Sequence, residues 1–298
     1  MPGEFQKVAL VGRDDDSRVV EPMTALASHL TEAGVGVVAV SDMSPHIGID
    51  RVSASKLDAV DLIVAIGGDG TILFASRVAG DHGVPLLGIN RGRLGFLADV
   101  SPEEMISGVD QVLAGNYTRD SRMQLSATLE RADGSTATGV GLNDIVLQRR
   151  ETGRMVDFET RVGDHYVNTH AGDGLIVATP TGSTAYALSC GGPILEPQLD
   201  AIVIVPVCPH TLTDRPIVIR AQQEVVVSVL ERAGTRAEIT VDGHSLGEIR
   251  PDDRLVIRQA DTRVTLLHPP NYDFYGILRS KLLWGRDSRV RDIVPKGT

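Results

Sequence analysis

The sequence predicts an α/β N-terminal domain with a parallel sheet, followed by a β-rich, sandwich-like C-terminal domain. Two patterns carry this prediction: apolar runs alternate with helical patterns at first, and many short strand-like runs follow from about residue 122. The length of 298 residues also suffices for two domains. We place the α/β domain at 1–118, the β-rich domain at 119–270, and a C-terminal segment at 271–298 that we expect to pack back on the first domain.

The composition indicates an acidic globular protein with an aliphatic core. Hydrophobic residues make up 42% of the chain and aromatic residues only 4%. The net charge of −10, without any Lys/Arg-rich run, argues against a nucleic-acid partner. The sequence shows neither a signal peptide nor an apolar stretch near the ~18 residues that span a bilayer, so it predicts no membrane partner and a cytoplasmic location. Cys190 and Cys208 match no zinc pattern and are predicted to be buried thiols.

Strands and helices alternate in the first domain. A helix is predicted over 17–33, where apolar residues recur at helical spacing and Gly34 follows as a stop. A second helix is predicted to open at Ser101, which forms a capping-box pattern with Glu104. Buried strands between such helices indicate a parallel sheet that binds ligands at the carboxyl ends of its strands. These strands are predicted at 8–12, 35–40, 60–66 and 85–90.

The second domain has the alternation of antiparallel sheets. Leu125, Ala127 and Leu129 alternate with polar residues, and Asp133-Gly134 and Asp242-Gly243 are turn signals. A terminal helix is predicted near 277–284. The other strand-like runs are 139–147, 156–162, 175–178, 201–207, 224–230, 237–241, 254–258 and 264–267.

A glycine-rich break after the third predicted strand is the first candidate site. It reads Gly67-Gly68-Asp69-Gly70-Thr71 and leads into an apolar helical segment. Glycines let a ligand approach the backbone, and free N–H groups at a helix start suit phosphate oxygens. An acid in such a loop would repel that ligand, so Asp69 is a candidate for proton transfer or for holding a metal ion. The alternative is a tight turn in which Asp69 only caps the helix.

A second candidate segment lies in the β-rich domain. A strand that begins at Asp173-Gly174 runs into a Thr/Ser/Gly-rich turn at 179–184, and a helix is predicted through 187–189. Such a turn offers hydroxyl and N–H groups, and Tyr186 offers a flat ring, which together suit a heterocycle with attached ribose or phosphate. The alternative is a glycine-rich corner whose hydroxyls cap the next helix.

Together these segments resemble the NAD kinase family, whose members use ATP to phosphorylate NAD to NADP. The glycine loop alone is shared with lipid kinases and resembles a phosphofructokinase loop, whereas the Thr-Pro-Thr-Gly-Ser-Thr-Ala-Tyr block is much more specific. The resemblance covers nearly the whole chain in the family's order. Its motifs are 67–71, 88–90, 94–97, 142–144, 173–174, 179–186, 191–194 and 209–212.

The resemblance implies roles for single residues. Asp69 would be the catalytic acid/base on the 2′-hydroxyl of the adenosine ribose of NAD, with Gly70 beside it. Asn143 and Asp144 match the family's Asn-Glu pair, which contacts the dinucleotide; Asp144 is shorter but keeps the charge. Phosphate-loop residues would be Gly67, Gly68 and Thr71. The remaining implied contacts are Phe96 near a base, Arg154, Ala171, Asp173 and His244 facing the ligand, and Thr184, Ala185, Tyr186, Ala187, Leu188 and Ser189 on the adenine side.

By the same resemblance, the protein would be an NAD kinase that uses ATP as phosphoryl donor with Mg²⁺ or another divalent cation. No metal ligands are assigned, and homodimers or homotetramers are usual in the family. One alternative is a lipid kinase of the diacylglycerol or sphingosine type, although the polar segment 179–186 suits a nucleotide better than a lipid. A second alternative is a non-catalytic NAD(H) sensor, against which the intact Asp69 argues.

Overall fold

The computed structural model describes residues 4–14, 16–57, 59–91, 95–98, 100–150, 155–231 and 236–284. The chain divides into two units, the first formed by 1–78, 84–120 and 266–298 and the second by 79–83 and 121–265. The domain limits predicted at 118 and 270 stay predictions. Within the described ranges, no helix is long and apolar enough to cross a membrane.

The first unit contains the predicted parallel sheet. Its strands pair in the order β5-β4-β1-β2-β3, and neighbouring strands are parallel throughout. Aliphatic side chains of these strands and of the helices form its core, including Leu10, Leu26 and Val64. The elements are β1 (Lys7–Gly12), α1 (Ser17–Glu32), β2 (Gly36–Val40), β3 (Arg51–Val52), β4 (Leu62–Gly67), α2 (Asp69–His82), β5 (Leu86–Asn90) and α3 (Met105–Leu113).

The start of α3 differs from the prediction. Ser101 and Glu104 make only the first half of the predicted capping box: the Glu104 N–H donates to Ser101 Oγ at 3.3 Å, but the Glu104 carboxylate bonds the Ser101 hydroxyl, at 2.9 Å, rather than the Ser101 N–H. These bonds close a turn, and the helix begins only at Met105. The end of α1 is as predicted, because Gly34 adopts φ +78°, a conformation that favours glycine.

The second unit is a sandwich of antiparallel sheets. One sheet has the order β13-β12-β11-β8-β15-β16. In the other, β10, β9, β14 and β17 are neighbours in that order, β6 pairs with β17, and β7 pairs with β6. Side chains from both sheets share one aliphatic core. The elements are β6 (Thr118–Glu130), β7 (Thr136–Gly141), β8 (Asp144–Arg149), β9 (Val156–Val162), β10 (His165–Gly172), β11 (Gly174–Ala178), α4 (Tyr186–Ser189), β12 (Ala201–Val207), β13 (Ile217–Arg220), β14 (Val225–Val229), β15 (Ala237–Val241), β16 (His244–Ile249) and β17 (Arg254–His268).

The observed strands depart from the pattern in several places. The single strand predicted over 139–147 is two strands, because Leu142 and Asn143 leave the ladder and bond elsewhere. The strands predicted at 254–258 and 264–267 are one strand, β17. The pattern does not predict β10, β13 or β16, whose side chains are largely exposed and alternate little. After β17, the chain forms α5 (Phe274–Leu282) in the first unit, three residues ahead of the predicted start.

Candidate functional site

The glycine loop lies at the carboxyl edge of the parallel sheet, as predicted. Gly67 ends β4 beside Asn90, which ends β5, so the two loops that follow start next to each other. A Cβ at Gly67 would overlap the Thr71 side chain, whereas Cβ atoms at Gly68 and Gly70 would meet open space. The fold therefore requires Gly67 for packing. Gly68 and Gly70 instead leave the backbone open to a ligand.

Asp69 is the first residue of α2 and is half-buried. Its Oδ1 is buried, and no described residue donates a hydrogen bond to it. Within the described part of the chain, this oxygen therefore makes no bond that would support the capping alternative. A Cβ at Gly95 would strike Asp69 Oδ1, so the loop after β5 lies directly against this carboxylate. The half-buried Phe96 follows, with Lys281 Nζ 5.3 Å from its ring centroid.

In the second unit, residues 142–144 are held by the turn between β15 and β16. The Asp242 carboxylate accepts the N–H groups of Leu142, Asn143 and Asp144 at 2.8, 2.8 and 3.1 Å. Asp242 adopts φ +47° and Gly243 φ +78°, and Val241 pairs with His244. This confirms the predicted turn. The sequence pattern did not predict that Asp242 contacts a segment 98–100 residues away in the chain.

Asn143 and Asp144 each present a buried side chain. Asn143 Oδ1 is buried and has no hydrogen-bond partner among the described residues. Burial, and then the neighbouring Asp242 carboxylate, raise the pKa of Asp144 to about 7. The side chains predicted to contact a dinucleotide therefore include one amide oxygen in need of a donor and one carboxyl group near its titration point at neutral pH.

The hydroxyls of segment 179–184 build the turn itself. Thr179 Oγ1 donates to the Leu142 carbonyl at 2.6 Å, and Ser183 Oγ donates to the Pro180 carbonyl at 2.6 Å. Thr181 Oγ1 accepts a bond of 3.1 Å from Arg122, a fully buried residue that the sequence did not single out. These hydroxyls therefore hold the corner together, but within the described residues no side chain at the N-cap of the 3₁₀ turn, or of the helix that follows it, makes a capping bond.

The helix predicted after this turn is short. A 3₁₀ turn covers Gly182–Thr184, and α4 is a single turn. Tyr186 is 38% exposed, whereas Ala187 is fully buried in the core. Partial burial, followed by the thiols of Cys190 and Cys208, raises the pKa of the Tyr186 phenol. Among the other residues predicted here, Thr184, Ala185 and Leu188 are half-buried and Ser189 is exposed.

The remaining site residues predicted in this unit are Asp173, Ala171, His244 and Arg154. Arg149 donates through Nε to Asp173 Oδ1 at 2.5 Å, and this bond raises the pKa of the Arg149 guanidinium. Ala171 is half-buried in β10, and His244 is exposed at the start of β16. Arg154 lies outside the described residues.

The prediction of two buried thiols is wrong for Cys208. This residue is exposed, and Cys190 is half-buried. Cys208 follows the last residue of β12 with φ +44°, so the chain turns out of the sheet there and carries the side chain to the surface.

Comparisons with known proteins agree with the resemblance over most of the chain. The model of the ATP-NAD kinase N-terminal domain matches residues 8–117, and that of the ATP-NAD kinase C-terminal domain matches 142–268. The NAD kinase of Acinetobacter baylyi is 40% identical over 287 residues, which cover 95% of this chain and 93% of that protein. The NAD kinase of Nitrosospira multiformis is 41% identical over 288 residues, covering 95% and 97%.

Two solved structures share the fold. Yeast NADH kinase complexed with NADH superimposes with a TM-score of 0.86 at 23% identity, over 95% of this chain and 89% of that one. An NAD kinase from Archaeoglobus fulgidus in complex with ATP gives 0.72 at 26% identity, over 92% and 99%. The predicted α/β and β-rich halves are those of this fold. The chain belongs to the NAD kinase family.

Proposed function

We propose that this protein transfers the γ-phosphoryl group of ATP to the 2′-hydroxyl of the adenosine ribose of NAD, forming NADP and ADP. The observation that carries the proposal is Asp69 Oδ1, a buried carboxylate oxygen without a donor among the described residues. It lies in a loop where Gly68 and Gly70 leave room for a ligand. The family supplies the identity of the two substrates.

In the proposed reaction, Asp69 accepts the proton of the attacking hydroxyl. The hydroxyl oxygen forms a bond to the γ-phosphorus while the bond from that phosphorus to the bridging oxygen of ATP breaks, and ADP leaves with the electron pair. The buried position of Oδ1 favours this role, because a hydroxyl donor is the partner that it lacks. The N–H groups at the start of α2 suit phosphate oxygens.

We propose that side chains of the second unit recognise NAD. Asn143 Oδ1 would accept a hydrogen bond from the dinucleotide, and Asp144 would bond a ribose hydroxyl. Tyr186 would contact the adenine side through its exposed ring, and Asp173 would share its carboxylate between Arg149 and the ligand. We propose that the ligand is also contacted by Phe96, Arg154, Ala171 and His244.

The side chains that the structure describes form no site for a resident metal ion. Among the described residues, no group of three or more His, Cys, Asp or Glu side chains could hold one. We propose that the divalent cation arrives with the nucleotide substrate, as its Mg²⁺ complex.

The proposal is tested by incubating the protein with ATP, Mg²⁺ and NAD and detecting NADP with an NADP-specific dehydrogenase. The variant Asp69→Asn should lose ~10²–10⁴-fold in kcat, because it lacks the proton acceptor, while its affinity for NAD stays within a few-fold. Asp81→Asn, an exposed aspartate on the same helix, is the matched control and should be unchanged. Wild-type rates in Asp69→Asn would refute the assignment.

The two alternatives predict other outcomes. A lipid kinase would phosphorylate diacylglycerol or sphingosine in mixed micelles and leave NAD unchanged. A sensor would bind NAD without forming NADP. Either result with the purified wild-type protein would replace the proposed reaction.

We also propose that the protein is a homodimer or homotetramer. Support comes from exposed apolar side chains near β10 and β13, the outer strands of their sheets. These side chains are Tyr166, Val167, Leu212, Ile217 and Val218.

A further inference from the structure

A single side chain binds the backbone N–H groups of three consecutive residues, 142–144. The carboxylate of Asp242 accepts all three of their N–H groups, that of Leu142 on Oδ2 and those of Asn143 and Asp144 on Oδ1. The Asp242 N–H in turn donates to the Asp144 carbonyl at 3.0 Å. One aspartate therefore makes four hydrogen bonds to three consecutive residues far away in the chain.

Thr179 engages the opposite side of the same segment. Its Oγ1 donates to the Leu142 carbonyl at 2.6 Å, and its N–H donates to the Asn143 carbonyl at 2.9 Å. A Cβ at Gly182 would overlap the Asn143 backbone, so the turn is in direct contact with the segment. Every backbone N–H and C=O of residues 142–144 thus has a partner, and this network fixes the backbone from which the Asn143 and Asp144 side chains extend.

We propose that Asp242 is a positioning residue for dinucleotide binding, holding residues 142–144 so that Asn143 and Asp144 present their polar atoms to NAD. The proposal rests on the proposed function, since it needs these two side chains to be NAD contacts. Asp242 itself need not touch the ligand.

A carboxylate suits this position better than an amide. Its two oxygens accept three N–H groups, whereas an asparagine would turn an NH₂ group toward one of these donors. Asparagine tolerates the backbone at φ +47°, so Asp242→Asn removes charge and an acceptor with little backbone strain.

Asp242 also sets the charge around Asp144. On one side of Asp144 lies the end of β11, where Ala178 pairs with Asp144 and Thr179 follows. Ala178 and Thr179 are both uncharged. On the other side, the turn between β15 and β16 places the Asp242 carboxylate near Asp144. The next strand, β16, begins at His244, which is exposed. The positioning role therefore has an electrostatic signature, because removing the Asp242 charge lowers the pH at which Asp144 ionises.

The test compares Asp242→Asn with Asp133→Asn. Asp133 is a matched control, because it also precedes a glycine in a turn of the second unit and its Oδ1 accepts one backbone N–H, from Ser135 at 2.8 Å. Steady-state kinetics at saturating ATP should show the KM for NAD of Asp242→Asn raised at least ~10-fold with kcat within about threefold. Asp133→Asn should keep both constants. A lowered melting temperature with an unchanged KM would mean that Asp242 only stabilises the fold and would overturn the proposal.

A second measurement uses pH. The midpoint of KM against pH should lie lower in Asp242→Asn than in the wild type, and an unshifted midpoint would contradict the proposal. If the wild type forms no NADP, the proposed function fails, and calorimetric titration with NAD decides the positioning role by itself. Binding weakened at least ~10-fold in Asp242→Asn would support it, and equal binding, or no binding of NAD by the wild type, would refute it.

Discussion

Asp144 carries a carboxyl group in a place that disfavours its charge. Burial of the Asp144 side chain, and then the neighbouring Asp242 carboxylate, raise the pKa of Asp144 from the usual 3.8 to about 7. A raised pKa in the folded state means that folding favours the protonated form. The resulting stability is complete below about pH 4 and is lost as the pH rises through about 7.

We therefore predict that Asp144→Asn stabilises the protein at alkaline pH. The variant lacks the ionised carboxylate, whose burial costs on the order of 4 kcal/mol above pH 7. Its melting temperature should exceed that of the wild type by a margin that grows from pH 4.5 to pH 8. A margin that is constant across this range would show that Asp144 does not titrate in this way.

At the scale of elements, the turn that precedes α4 is packed against the segment that precedes β8. At Gly182 the packing leaves no room for a side chain, because a Cβ would overlap the carbonyl group of Asn143. A side chain here cannot be accommodated by rotation, because the obstructing atoms belong to the backbone. The turn and the segment must therefore separate if Gly182 is replaced.

Gly182→Ala should lower the melting temperature by about 2–10 °C and raise the KM for NAD, because the shift moves Asn143. Gly36→Ala is the control: a Cβ at that exposed strand position would meet its nearest neighbour, the Gln6 carbonyl oxygen, at an ordinary 3.4 Å. Equal melting temperatures for the two variants would show that the turn can move without cost.

At the scale of the whole molecule, the surface is not uniformly polar. Leu212 is 89% exposed and Val218 49% exposed, and both lie near the outer strand β13. Isolated apolar residues on a surface are ordinary, but a group of them on free sheet edges is typical of an interface. The acidic chain, with a net charge of −10, would repel its copies unless such contacts compensate.

Light scattering coupled to size exclusion should therefore give a mass of at least twice 31.8 kDa. Val218→Glu would place a charge on this surface and should shift the protein toward the monomer. Val140→Glu, a change at another exposed valine of the second unit, should leave the mass unchanged. A monomeric wild type would refute the oligomer proposal.

The sequence by itself determined the features that arise from local pattern. Continuous apolar runs between helical segments predicted the parallel sheet, and the glycine break after 60–66 predicted a ligand loop at its carboxyl edge. Alternation predicted the sandwich, and Asp242-Gly243 predicted a turn. These follow because burial and turn geometry are set by residues within a few positions of each other.

Only the tertiary structure decided which groups meet. It pairs Asp242 with residues 142–144, sets Gly95 against Asp69, and turns the hydroxyls of segment 179–184 inward. It also breaks the predicted strand 139–147, because these long-range bonds replace those of the ladder. No local pattern contains such contacts, since each joins segments distant in the chain whose approach depends on how the sheets pack.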